Sequence, residues 1–158
     1  MLIRLRQLLR RGRGQEGAAA VEFVLCLIPL LLIVAGVVDY GESWYMSSVI
    51  ATASREGARY ATRYQTNPVT GTRLIPNALN PSIEDYVLTA AGYNLTSLLP
   101  ITAAPAVTPG GAGLTTGTAG TIVSVRVTAL KYWLFLNNLI PGLSNPQVLA
   151  STTTMACE

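Results

Sequence analysis

From Ala18 to Val38 the chain reads AAAVEFVLCLIPLLLIVAGVV, in which Glu22 is the single charged side chain and Pro29 the single strong helix disruptor. A bilayer's hydrocarbon core takes roughly 20 such residues in helical form. The run therefore predicts one transmembrane helix over residues 18–38. The next most apolar stretch, Tyr132 to Leu136 with Leu139 and Ile140, is broken by Asn137 and Asn138 and ended by Pro141, too short to cross.

Beyond Val38 the pattern changes from apolar all round to apolar along a stripe. Tyr45, Val49, Ala53, Gly57, Tyr60, Ala61 and Tyr64 recur at three- and four-residue spacing, with no proline from Tyr40 to Tyr64. That periodicity predicts an amphipathic continuation of the same helix. A single helix from Ala18 to Tyr64 would be about 70 Å long, of which only the first half fits in lipid. Tyr45, Val49, Ala53, Tyr60 and Tyr64 are the expected core contacts. Arg55, Arg59 and Arg63 fall on another face, with Glu56 three residues before Arg59, and read as a solvated row.

The period then shortens. Thr66 to Pro81, with Asn67, Pro68, Gly71, Pro76 and Asn80, has the composition of a loop. Ser82 reads as an N-cap with Asp85 at the capping-box position, opening a short helix through YVLTAAGYNL that ends near Gly92 to Leu98. Pro100 to Gly120 suggests a weak edge strand around Ile101 to Val107 and a flexible turn through Pro109, Gly110, Gly111 and Gly113. In Thr121 to Ala129 strict alternation puts Val123, Val125, Val127 and Ala129 on one face of a strand, and Ser124, Arg126 and Thr128 on the other. A second alternating strand covers Gln147 to Cys157. The connection from Lys131 to Pro146 carries Tyr132, Trp133 and Phe135, enough apolar surface to fold back over the sheet. So small a sheet needs a cover, and the striped helix is the available one. The expected fold class is α+β: a long N-terminal transmembrane helix extending into an exported domain with a small antiparallel sheet.

Charge adds a direction. Arg4, Arg6, Arg10, Arg11 and Arg13 precede the apolar run, and Asp39 and Glu42 follow it. By the positive-inside rule the N-terminus is cytoplasmic and the remainder exported. Without residues 1–17 the chain holds six basic and seven acidic residues, so its basic character is local and no nucleic-acid partner is expected. The organisation expected is a basic cytoplasmic leader (1–17), the membrane helix (18–38), an exported helical extension (39–65) and a small exported α+β domain (66–158). Asp39 reads as a marker of the outer membrane boundary. Gly36 and Gly41 read as sites of close packing or flexibility, and Pro29 as a kink or loosened turn.

Nothing in the sequence points to catalysis or to a cofactor. There is no histidine, no cysteine or carboxylate cluster with metal-ligand spacing, and no phosphate-binding loop, since the GGAG at 110–113 precedes no expected helix. Cys26, within the apolar run, reads as a small packing residue. Cys157 is left as buried, free or paired between chains, because a bond to Cys26 would have to join the membrane interior to the exported domain.

Glu22 asks for an explanation, since a carboxylate inside a membrane helix costs on the order of 2.5 kcal/mol or more unless paired or neutralised. Snorkelling or protonation near the cytoplasmic end is the plain reading. The alternative lies in its surroundings: Gly17 immediately precedes the run, Glu22 is the fifth residue after it, Phe23 the sixth, and a basic segment comes before.

This segment, GAAAVEF followed by LCLIPLLLIVAGVVDYG and ASREGARYA, resembles the TadE-like minor pilins, or pseudopilins, of tight-adherence (Tad/Flp) pili, a branch of the type IV pilin superfamily. The resemblance is close over Gly17 to Arg63 and looser over VSVRVTALKYW and ASTTTMACE. It implies that a membrane prepilin peptidase cuts between Gly17 and Ala18, with Glu22 and Phe23 as the motif pair that serves assembly. It also implies other pilin subunits and the membrane-embedded pilus assembly machinery as partners, in a bacterial inner membrane, and a filament for adhesion or secretion outside. Independently of the resemblance, an amine freed on Ala18 would be a natural counter-charge for Glu22 in low dielectric. Two other functions compete: a secreted adhesion or binding domain with an ordinary signal peptide cut after Gly36, and an uncleaved, membrane-tethered subunit.

Overall fold

The computed structural model describes residues 2–90, Leu95 and 105–158, with the backbone alone described for 2–16, Ala90 and Asn138. The chain divides into two compact units, Met1–Tyr40 and Gly41–Glu158.

The first unit is helical. Helix α1 is assigned from Leu2 to Thr62, so it begins within the basic segment and ends two residues before the expected Tyr64, with Pro29 inside it. From Val21 to Val38 the large aliphatic side chains are exposed on every side of the helix, Leu25 at 69% and Val37 at 68% among them. A helix apolar all round that buries none of these side chains has no protein core to serve. The part from Gly17 onward is long and apolar enough to cross a membrane. Asp39, read as a marker of the outer membrane boundary, is fully buried.

The second unit is α+β. Strands β1 (Ala106–Gly110), β2 (Ile122–Lys131) and β3 (Gln147–Ala156) form an antiparallel sheet in the order β1-β2-β3. The alternation read from the sequence sets its faces. Val123, Val125, Val127 and Ala129 are buried. In register, they stand opposite Met155, Thr153, Ser151 and Leu149 of β3. The other face is mixed: Ser124, Arg126 and Thr128 on β2 and Thr152 and Thr154 on β3 stand between Ile122 at one end and Leu130 and Val148 at the other.

The C-terminal part of α1 covers the inner face, through a stripe that keeps the small and aliphatic members of the expected one but not its tyrosines. Met46, Val49, Ile50, Ala53, Ser54, Gly57, Ala58, Ala61 and Thr62 are buried. Tyr45 and Tyr64 are 55% and 59% exposed and Tyr60 is half-buried. Val49, Ala53, Gly57 and Ala61 of the expected stripe are in the packed face; its tyrosines are not. The observed one is wider, its buried residues coming in adjacent pairs at 49/50, 53/54, 57/58 and 61/62. Its small residues let helix and sheet approach closely: a Cβ at Gly57 would stand 2.5 Å from Val87 Cγ2 and 3.2 Å from Val125 Cγ1. Ser54, fully buried, is satisfied by Ala51 O at 2.9 Å, Thr153 Oγ1 at 2.8 Å and Ser151 Oγ at 3.1 Å. Gly41, by contrast, has nothing within 4 Å of where its Cβ would be, so it makes no close packing within the chain.

The loops follow local chemistry. Ser82 caps helix α2 (Ile83–Asp85), accepting from the Asp85 amide at 3.1 Å, and the chain continues as a π-helical turn over Tyr86–Ala90. Ile83 and Val87 enter the core from it, with Leu79 just before and Leu95 beyond. The expected end of that helix, Gly92 to Leu98, lies outside the described residues apart from Leu95. So does most of the expected strand at Ile101 to Val107. What is seen is later: Pro109 and Gly110, expected in a flexible turn, belong to β1, where an edge position tolerates proline. Gly111 makes the turn at φ 93°, and helix α3 follows over Gly113–Thr116. The β2–β3 connection does not fold back over the sheet as a cover: Leu134, Phe135, Leu139 and Ile140 remain exposed. Cys157 is buried and Cys26 exposed, and neither is in a disulfide.

Candidate processing and assembly site

Gly17, Ala18, Glu22 and Phe23 all lie in α1 with exposed side-chain positions. Ala18 and Glu22 are four apart and therefore on one face, roughly 5–6 Å between Cβ atoms. Phe23 points about 100° further round and is 65% exposed. Glu22 is about 6 Å along the axis from Ala18, one turn into the apolar run. Nothing comes within 4 Å of a Cβ built on Gly17, so no packing within the chain demands glycine there. Glycine within a helix costs roughly 0.5–1 kcal/mol relative to alanine.

A second feature of interest is in the Gly41–Glu158 unit, at the end of α1 remote from the apolar run. A groove of about 500 Å³ is lined by Glu56, Arg59, Tyr60, Arg63, Tyr86, Glu158 and their neighbours. Tyr60 and Tyr86 stack at 4.0 Å between centroids, and the Tyr60 hydroxyl donates to Pro81 O at 2.8 Å. Burial and the neighbouring Tyr86 push the Tyr60 hydroxyl above its ordinary pKa, against a lowering hydrogen bond with Gln65. Arg59 pairs with Glu56 at 3.6 Å and stays solvated, in keeping with the row read from the sequence. The backbone closes this end by donation from the Glu158 amide to Thr62 O at 3.4 Å. Stacked phenols and a solvated ion pair organise the helix end, and they offer no nucleophile activated by a base. Among the described residues no three His, Cys, Asp or Glu side chains gather as metal ligands.

One pair was missed from the sequence. Lys131 Nζ, 1% exposed, contacts Glu42 Oε2, and the same ammonium lies 5.7 Å from the Trp133 ring centroid. Lys131 had been read only as the start of a connection and Glu42 only as an orienting charge. The signal was present in the parity: 123, 125, 127, 129 and 131 share a face of β2, so a strand extended by one pair turns Lys131 inward. Glu42 likewise precedes Met46, Val49 and Ile50 by helical spacing.

No curated protein and no solved structure matches the chain. The family model described as TadE-like protein matches residues 17–59. That segment begins at Gly17, contains Glu22 and Phe23, and runs through the striped helix to Arg59, so the segment bearing the proposed site is the segment that is shared. Over those residues the chain is similar to the TadE-like proteins.

Proposed function

We propose that the chain is a minor pilin-like subunit, anchored in the bacterial inner membrane by α1 with its N-terminus cytoplasmic and its α+β unit exported. A prepilin peptidase cuts it between Gly17 and Ala18, and it then takes part in assembling a Tad-type pilus or secretion filament. The observation that carries this reading is the exposed run from Ala18 to Val38, interrupted by one carboxylate a single turn from a glycine that the fold does not need. The TadE-like match over the same residues ties it to pili.

The physical logic is charge compensation. Cleavage leaves a cationic amine on Ala18 at the membrane edge, and Glu22 is the carboxylate within reach. Inside one helix the terminal turn frays, so the pair gains most between neighbouring helices offset along their axes, where it sets register and offsets the cost of a buried carboxylate. Partners are accordingly the peptidase, other pilin subunits and the assembly machinery.

N-terminal sequencing of the mature protein from peptidase-containing cells tests processing. Ala18 is expected. Val37 would mean an ordinary signal peptide, and Met1 an uncleaved tether. Glu22→Gln is expected to insert and be cut as the parent is, yet lose crosslinks to other pilins. Undiminished crosslinking would reduce Glu22 to a tolerated snorkelling side chain.

A further inference from the structure

We infer that the β2–β3 connection is a second membrane contact, a foot that rests in the headgroup layer of the exported leaflet. The inference rests on the membrane-anchored reading of α1.

The observation is a cluster. Leu134 is 61% exposed, Phe135 55%, Leu139 49% and Ile140 45%, four large apolar side chains within seven residues. The whole connection from Tyr132 to Pro146 contains no charged residue, and its polar side chains are asparagines, a serine and the Tyr132 hydroxyl. Single exposed apolar residues are ordinary on a water-facing surface, but a clustered patch marks something that covers it. This connection has enough apolar surface to fold back over the sheet. It leaves the sheet to α1 and keeps its own apolar side chains outside.

Position selects lipid as the occupant. The connection is rooted at Lys131, whose ammonium is held by Glu42. Glu42 is four residues after Val38, the end of the apolar run, so chain connectivity keeps the root close to that end whatever angle the two units make. Along a helix four residues rise about 6 Å. The polar layer on each side of a bilayer's hydrocarbon core is about 5–8 Å deep. With Val38 at the edge of the hydrocarbon, the root of the connection lies at headgroup depth. Tyr132 and Trp133 at this level match the amphipathic aromatics that favour membrane interfaces, as does Trp44, 68% exposed two residues beyond Glu42. An uncharged, aromatic and aliphatic loop held at that depth buries its apolar atoms among upper acyl chains and leaves its asparagines in the headgroups.

Spin labels on the full chain in phosphatidylcholine/phosphatidylglycerol nanodiscs, loaded at one copy per disc, test this. Leu134→Cys, Leu31→Cys and Thr152→Cys are each labelled in a Cys26→Ser, Cys157→Ala background, and collision with oxygen and with a water-soluble nickel chelate is compared. Leu134 is expected to meet the nickel chelate several-fold less often than Thr152, and oxygen more often. If Leu134 behaves as Thr152 does while Leu31 is shielded, the anchor stands and the foot is overturned. If Leu31 is itself open to the chelate, the anchored reading fails and the foot with it. Shielding of Leu134 only in discs holding two copies would make the patch a subunit contact, which also overturns the proposal.

Discussion

The apolar run of α1 and the striped segment after it belong to one assigned helix, yet they are built for different surroundings. From Val21 to Val38 the side chains are large, aliphatic and exposed on every side. From Met46 to Thr62 one face is buried, small from Ala53 onward, and the opposite face carries Arg55 and Arg59. Hydrophobic content alone would rank the first segment as the better core. What separates them is the angular distribution: a protein core needs a face, whereas lipid wets a helix evenly. Small residues belong to the striped segment because close approach to a sheet gains more dispersion contact than bulk would.

The sharpest way to break this contrast is to put a charge on the sheet side of the striped segment. Val125→Asp places an unpaired carboxylate against Gly57 and should cost several kcal/mol, on the order of what isolated buried charges cost, and unfold the unit. The corresponding change in the run, Val37→Asp, should leave the unit's protease resistance in detergent intact. A protease-resistant Val125→Asp protein would mean that the inner face is misassigned.

Next in size is Glu42→Gln, which leaves the buried Lys131 ammonium without its anionic partner. Removing one member of a fully buried pair costs about 3–5 kcal/mol, and the partial exposure of Glu42 discounts that to roughly 1–3. Thermal unfolding in detergent should show the loss. Lys131→Met together with Glu42→Leu should recover most of it, and failure to recover would mean that the pair does more than satisfy its own charges.

Gly57 and Gly41 make a matched test of crowding. Gly57→Ala forces its methyl into Val87 and should destabilise by about 1–3 kcal/mol, overpacking outweighing the gain in helix propensity. Gly41→Ala meets open space and should be neutral or stabilise by up to ~1 kcal/mol. Equal effects at the two sites in a urea titration would remove the case for close helix–sheet approach.

The smallest effect is that of pH. Folding raises the Tyr60 pKa, so the folded state holds that proton more tightly than the unfolded one. Its contribution is fully present below about pH 10, the ordinary tyrosine value, and is lost as pH rises through the higher folded value. Stability should therefore decline above pH 10, with a shallower decline in Tyr60→Phe, which also forfeits the bond to Pro81. An unchanged alkaline slope in that variant would assign the decline to other groups.

Much of this was legible beforehand because period-two and all-round apolar patterns are unambiguous. Val123 to Ala129 could face only one way together, and a run as long as 18–38 has few soluble uses. The capping of α2 by Ser82 was legible for the same reason, since hydroxyl and carboxylate three residues apart have a specific local geometry. Helix facing was harder. Tyr45 and Tyr64 looked like core because they share the spacing of the stripe, yet Tyr45 falls off the packed face and Tyr64 lies beyond the end of the helix. The inward Lys131 was obscured by residue type, and the β2–β3 connection by the assumption that apolar residues in a loop must cover the sheet. Of the candidate site, the spacing of Gly17, Glu22 and Phe23 was fully readable. Only the structure shows that the space beside Gly17 is open.

The hydroxyl trio of Ser54, Ser151 and Thr153 has a mechanical side. A helix that meets a sheet through alanine and glycine presents a smooth surface, with few protrusions to stop it sliding along its axis. Ser54 acts as a detent on that surface. A slip of one helical turn would carry its hydroxyl about 5.4 Å along the sheet and break its hydrogen bonds with Ser151 and Thr153. A polar position in the middle of the small-residue face thus fixes how far along the sheet the helix sits, which shape complementarity alone would leave free.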